Sequence, residues 1–371
     1  MTGRQQIEAA FRGERGEHTP VSIRLDLWHA HAARIGALPK HLHDASATDV
    51  EDALGFARAA RFRMHPRLVF DAADFRCEVR NGVRREDYRF PKGTLTRETV
   101  TTAESARSGV QPHITQYPLH TEADYELLLR HVHSARLEYE FEGFDIFDAE
   151  TGGKGLPMLI ASSCPAHLIM LRWAGYENFF LHLFDFEEKA AELIRAVDDI
   201  FRRDLWPVLQ ASSATLLLHG NHFSSQMTPP PLFERFFLPY FQAFNELMHA
   251  HGKCVVWHAD AEIGALVELV LAAGFDGADC LATAPLVPQT MKNYLNVWQG
   301  RIVCWGGLPS TIFDPEYPLQ DYQSHVLALF ELAADRSDII IGASDNVMPG
   351  AEWKRLEFLA EQSRRNKKVP I

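Results

Sequence analysis

No stretch of this sequence reaches the roughly 18 consecutive apolar residues that a membrane span requires, so none is expected. Its opening, MTGRQQIEAAFRGERG, has no apolar core, and no secretory leader is expected from it. Neither GxGxxG nor GxxxxGK[ST] follows an apolar run, which argues against a nucleotide-binding doubly wound sheet. Positive charge is also short. At a net charge of −12 no basic face is expected for phosphates, and nucleic acid is excluded as a partner. There is no CxxC pair. The five cysteines (Cys77, Cys164, Cys254, Cys280, Cys304) are odd in number and widely spaced. They read as reduced thiols of a cytoplasmic chain, most of them in the core. Ser162-Ser163-Cys164 has no elbow motif around it and is set aside as a nucleophile.

What is present is an alternation of helices and short apolar strands. The expected strands are 21–27 (VSIRLDL), 157–162, 214–220, 253–259, 277–282, 302–307 and 339–344, with an eighth near 141–147. The intervening helices include 49–63, 122–136, 185–210, 231–251, 261–273, 289–297 and 322–334, and 352–365 closes the pattern. Asp185 followed by Glu188 reads as a capping box, and Pro239 should kink the helix it sits in. Strands without polar alternation mean a parallel sheet covered on both faces. A single (β/α)8 TIM barrel over 1–371 is therefore expected, with the site at the C-terminal strand ends. The segment 66–102 breaks the pattern. Its alternation around Asn81-Gly82 predicts a small N-terminal β-hairpin insertion.

The stretch from Leu216 to Ala259 organises the rest, because two successive strands there end in polar residues. Five of the eighteen histidines fall between His219 and His258, which raises a metal hypothesis. The strand ends supply His219, Asn221 and His222 as catalytic candidates, then His258, Asp260, Cys280, Trp305 and Asp345. Each has a structural alternative. Asp260 is equally placed to cap the next helix, Cys280 to be a core thiol, and His258 to be a packed rim histidine. The aromatic row Phe233, Phe236, Phe237, Tyr240, Phe241 and Phe244 has helical spacing and reads as core.

The segment SSQMTPPPLFERFFLPYFQAFNELMHAHGKCVVWHADA resembles the uroporphyrinogen decarboxylase superfamily. So do RQQIEAAFRGERGEHTPV, WAGYENFFLHLFDFEEKAAELI, GGLPST and IIIGASDNVMPGAEW, so the resemblance covers nearly the whole chain. It implies a (β/α)8 barrel. Of the two main branches, uroporphyrinogen decarboxylases hold the tetrapyrrole carboxylates with an R-Q-A-G-R motif. The matching place here reads Ile23-Arg24-Leu25-Asp26-Leu27-Trp28, with one arginine. The other branch comprises zinc-dependent methyltransferases that act with corrinoid proteins, coenzyme M or a folate, and YRFPKGTLTRETVT resembles its N-terminal β element.

That branch's H-x-C…C zinc ligands fall on His258, Asp260 and Ser344 or Asp345, so the histidine is kept and both cysteines are absent. The resemblance thus implies a metal held by His258, Asp260 and Asp345, with Cys280 as a soft substitute. Zinc is expected, with iron or manganese as alternatives. Oxygen ligands make a harder centre, suited to polarising a substrate oxygen. Arg24, Asp26, Trp28 and Trp305 are the expected substrate-binding residues. A corrinoid or folate would arrive on a partner, since no D-x-H-x-x-G module is present. The expected function is a metal-dependent methyltransferase or demethylase, with homodimerisation implied by the family. The alternatives are a metal-free decarboxylase and a non-catalytic ligand-binding relative.

Overall fold

The computed structural model describes residues 1–103, 112–221 and 223–366. In chain order its strands are β1 (Arg61–Arg63), β2 (Arg67–Phe70), β3 (Asp74–Arg80), β4 (Val83–Phe90), β5 (Gly93–Val100), β6 (His113–Gln116), β7 (Ala135–Glu138), β8 (Met158–Ser162), β9 (Leu216–His219), β10 (Cys254–His258), β11 (Gly277–Leu281), β12 (Val303–Leu308) and β13 (Ile339–Ala343).

Seven of these form one curled parallel sheet in the order β1-β8-β9-β10-β11-β12-β13. Strands β8 to β13 are largely apolar on both faces because both faces are covered. Met158, Leu216, Leu218, Val256, Val303, Trp305 and Ile340 pack together on the inside with Ile7 and Phe11 of the first helix. Leu217, Val255, Trp257, Ala278 and Ile341 alternate with them and face the outer helices. The free edges are linked through Val21. It forms a parallel bridge to Ile341 of β13, and its carbonyl accepts the amide of Ala57, just before β1.

A second, antiparallel sheet runs β3-β4-β5-β6, with Asn81 and Gly82 at positive φ in the turn between β3 and β4. Strand β2 instead pairs with β7. Tyr88 of β4 and Phe70 of β2 pack on Trp173, and Phe90 of β4 packs on Phe70, which holds this sheet against the segment that follows β8.

Several sequence expectations are corrected. The expected strand near 141–147 is instead occupied by the helix Phe144–Thr151. The expected helix 49–63 stops at Leu54, because Gly55 takes the left-handed conformation at its C-cap. Its last residues are β1, hidden from sequence by the two arginines that flank Phe62. Asp185 ends one helix, and the next begins at Glu187 without a side-chain cap, so no capping box forms. Pro239 does not sharply break its helix. A π-helical turn, Phe233–Phe237, precedes Leu238–Ala250 and absorbs the missing amide bond, as Phe201–Leu205 does for Pro207.

One irregularity positions the site. The β11–β12 register shifts between Asp279 and Leu281, where Cys280 has a φ of 58°. This bulge turns both Asp279 and Cys280 inward, where plain alternation would hide one of them. It also pushes the Leu281 backbone onto Gly306, where a Cβ would lie 2.5 Å from the Leu281 nitrogen and oxygen. Gly306→Ala is therefore expected to cost about 1–3 kcal/mol by overpacking, measured by denaturant unfolding. An unchanged unfolding midpoint would contradict this account of the bulge.

Candidate active site

The inner ends of β1, β10, β11 and β13 converge on one polar cluster. His258 is the last residue of β10 and lies in register with Asp279 of β11. Its Nδ1 is 3.2 Å from Asp279 Oδ2. A carboxylate can only accept, so Nδ1 carries a proton; the neutral ring keeps its lone pair on Nε2, and the imidazolium donates from Nε2 as well. Nε2 points at Asp260 Oδ2, 3.3 Å away, and at Asp345 Oδ1, 3.6 Å away. Ligand atoms of His258, Cys280 and Asp345 all lie within 4.8 Å of one another.

Each member is fixed from behind. Asp279 is fully buried, and both its oxygens accept from one guanidinium nitrogen of Arg61 at 2.6 Å. The same nitrogen lies 3.4 Å from Cys280 Sγ, and the thiol donates to the Asp345 carbonyl at 3.3 Å. Arg24 holds Asp345 Oδ1 at 2.6 Å. Asp345 has a φ of 67°, so two of the three clustered groups sit on left-handed backbone, a conformation that non-glycine residues rarely adopt outside constrained sites.

The electrostatics follow from this packing. Burial alone would raise the Asp279 carboxyl, but the Arg61 charge and then the His258 hydrogen bond outweigh it and hold it well below the usual carboxylate range. Burial alone would lower His258. Electrostatic attraction to the Cys280 sulfur and hydrogen bonds to Asp260 and Asp279 override it, and the imidazole is held well above its ordinary range. The cluster therefore favours a cation at Nε2, and a divalent metal meets the same field as a proton.

The sequence-derived candidates separate into two groups. His258, Asp260, Cys280, Asp345, Arg24 and Asp26 come together at the mouth. Asp260 does not cap a helix, because the next α-helix starts at Val267. His219 is removed from the mouth. By alternation it faces outward, is fully buried, and packs at tilted and edge-on angles among Tyr240, Phe241 and Phe244. Trp28 and Trp305 are also buried, with their indole N–H groups given to the carbonyls of Ala351 and Ser22. Asn221 stands beside the site after β9, with its Oδ1 buried and unpaired. His222 lies outside the described residues.

Arg61 and Asp279 were not expected from the sequence. The available signal was an acid inside the apolar run GADCL, which needs a buried cation as partner.

The uroporphyrinogen decarboxylase (URO-D) family model matches residues 102–365. No curated protein sequence matches the chain. Among solved structures, a methyltransferase from Methanosarcina mazei superposes with a TM-score of 0.58 at 12% identity, covering 98% of this chain and 99% of that one. At that identity the likeness is one of fold.

Proposed function

Because this chain belongs to the uroporphyrinogen decarboxylase family, we propose that it is a metal-dependent methyltransferase or demethylase with its site at the mouth of an eight-membered barrel. In this reading the Val21 segment is the eighth member, and the β3–β6 sheet is an insertion beside the mouth. The observation that carries the reading is the Arg61–Asp279–His258 chain. It orients the imidazole and aims Nε2 at Asp260 and Asp345, with Cys280 within 4.8 Å of the same group. Metal-binding histidines are commonly oriented by a carboxylate in this way.

His258, Cys280 and Asp345 would hold the metal, with Asp260 beside them; zinc fits the mixed nitrogen, sulfur and oxygen donors best. Bound there, a divalent metal supplies Lewis acidity that polarises an oxygen-bearing substrate. The chain's own residues do the rest. Arg61 keeps Asp279 ionised, Asp279 keeps the proton on Nδ1, Arg24 restrains Asp345, and the β11 bulge presents the thiol. The methyl acceptor, a corrinoid or folate on a partner, belongs to the same proposal, as do a homodimer and a cytoplasmic location.

The test is elemental analysis of protein purified without chelators, repeated on His258→Ala, Cys280→Ala and Asp345→Asn. Near-stoichiometric zinc or iron is expected in the parent, with most of it lost in each variant. Metal-free parent protein would overturn the reading. The raised His258 would then favour a carboxy-lyase that uses the imidazolium as an acid.

A further inference from the structure

We propose that the mouth takes substrates bearing a carboxylate, and that Arg63 is the residue that receives it. This rests on the proposed function for the reacting centre, but not for its own evidence. In β1, Phe62 packs outward, with its ring 5.6 Å from Phe144 and 5.7 Å from Phe147. Side chains alternate along a strand, so Arg61 and Arg63 share the opposite, inner face. Arg61 meets that expectation by reaching Asp279 and Cys280. Arg63 pairs in register with Ile160, which packs against the inner cluster. Two residues of strand span about 7 Å, so Arg63 stands one layer nearer the mouth than Arg61.

Three arginines gather there, and two are committed. Arg24 is bound to Asp345 at 2.6 Å and Arg61 to Asp279 at 2.6 Å. Arg63 is exposed and has no ion-pair partner among the described residues. Although the side chain reaches solvent, its charged form is disfavoured first by partial burial, then by the charges of Arg24 and Arg61, which outweigh the opposing acids Asp26 and Asp345. An anionic oxygen pair above the His258 cluster would relieve that repulsion and fill the planar fork of donors. A carboxylate on Arg63 would also fix a substrate with one end anchored and the other over His258, Cys280 and Asp345.

The experiment compares 4-methoxybenzoate with its neutral isostere 4-methoxybenzamide, titrated by NMR into chelator-stripped full-length protein. The parent is expected to prefer the acid by at least about tenfold, the scale of one charged hydrogen-bonded pair. Arg63→Ala should erase the preference without altering thermal unfolding, and Arg63→Lys should keep part of it. Equal binding of both probes, no binding of either up to about 10 mM, or a preference that survives Arg63→Ala would each overturn the proposal. Stripping the metal separates the two ideas. Failure of the metal reading appears in elemental analysis, whereas the acid–amide preference is read without metal.

Discussion

Replacing Arg61 with leucine is expected to destabilise the protein by about 3–5 kcal/mol, the cost of leaving a buried carboxylate without its partner. Asp279 is fully buried, and Arg61 donates to both of its oxygens. With the guanidinium gone, Asp279 would have to take up a proton or draw water into the sheet interior. Either outcome loosens the hydrogen bond that holds His258 Nδ1. Urea unfolding of Arg61→Leu, Asp279→Leu and the double variant separates the terms. The double variant should recover most of the loss, because apolar replacement of a whole buried pair is often neutral. If Arg61→Leu unfolds at the parent midpoint, the pair does not anchor the site. If the double variant loses the sum of the two single losses, the residues act independently.

The same pair marks the limit of what could be read from sequence. Strands β8 to β13 were legible because they are short apolar runs with helical patterns between them. His258, Cys280 and Asp345 were legible because they end such runs. Strand β1 was not. Its three residues, Arg-Phe-Arg, put charge where an apolar face is expected, and the preceding helix pattern runs straight into it. Those arginines serve the site rather than the core. His219 failed in the opposite direction. It ends a strand as His258 does, but the two-residue period points one side chain out and the other in, and a four-residue strand leaves that phase undetermined until its neighbours are placed. The bulge that turns Cys280 inward likewise leaves no pattern of its own in the sequence.

His219 should make this protein acid-sensitive. Its Nδ1–H donates to the Ser162 carbonyl, and its Nε2 accepts from Tyr240, whose hydroxyl in turn accepts from Trp206. Every site is filled by a neutral ring, and burial pushes the imidazole down to about 4, against an ordinary 6.5. Below pH about 6.5 the unfolded chain takes a proton here that the folded chain refuses, so acid favours unfolding. The lost stability grows as the pH falls and reaches about 3 kcal/mol near the folded value. Glu51 works in the other direction. Burial and then Asp26 push it up to about 8, so the folded state gains its proton first as the pH drops.

The measure is therefore the difference between parent and His219→Gln, in which the Glu51 contribution cancels. Between pH 7 and pH 4.5 the parent should lose about 2–3 kcal/mol more than the variant. Parallel curves would mean that the ring titrates normally and that its packing admits the charged form.

The bridge between Val21 and Ile341 has a consequence for how the molecule is made. Arg24 and Asp345 stand 321 positions apart, yet they share one hydrogen bond at the mouth. A nascent chain emerging from the ribosome exposes Arg24 long before its partner, which arrives only when β13 and the turn after it have left the exit tunnel. Until then the Ser22 amide, the Pro20 carbonyl and the outer edge of β12 lack their β13 partners, the kind of edge that invites misassembly. Translation thus completes the reactive centre only after β13 has emerged, and a stalled product ending before β13 would carry an exposed sheet edge and no functioning cluster.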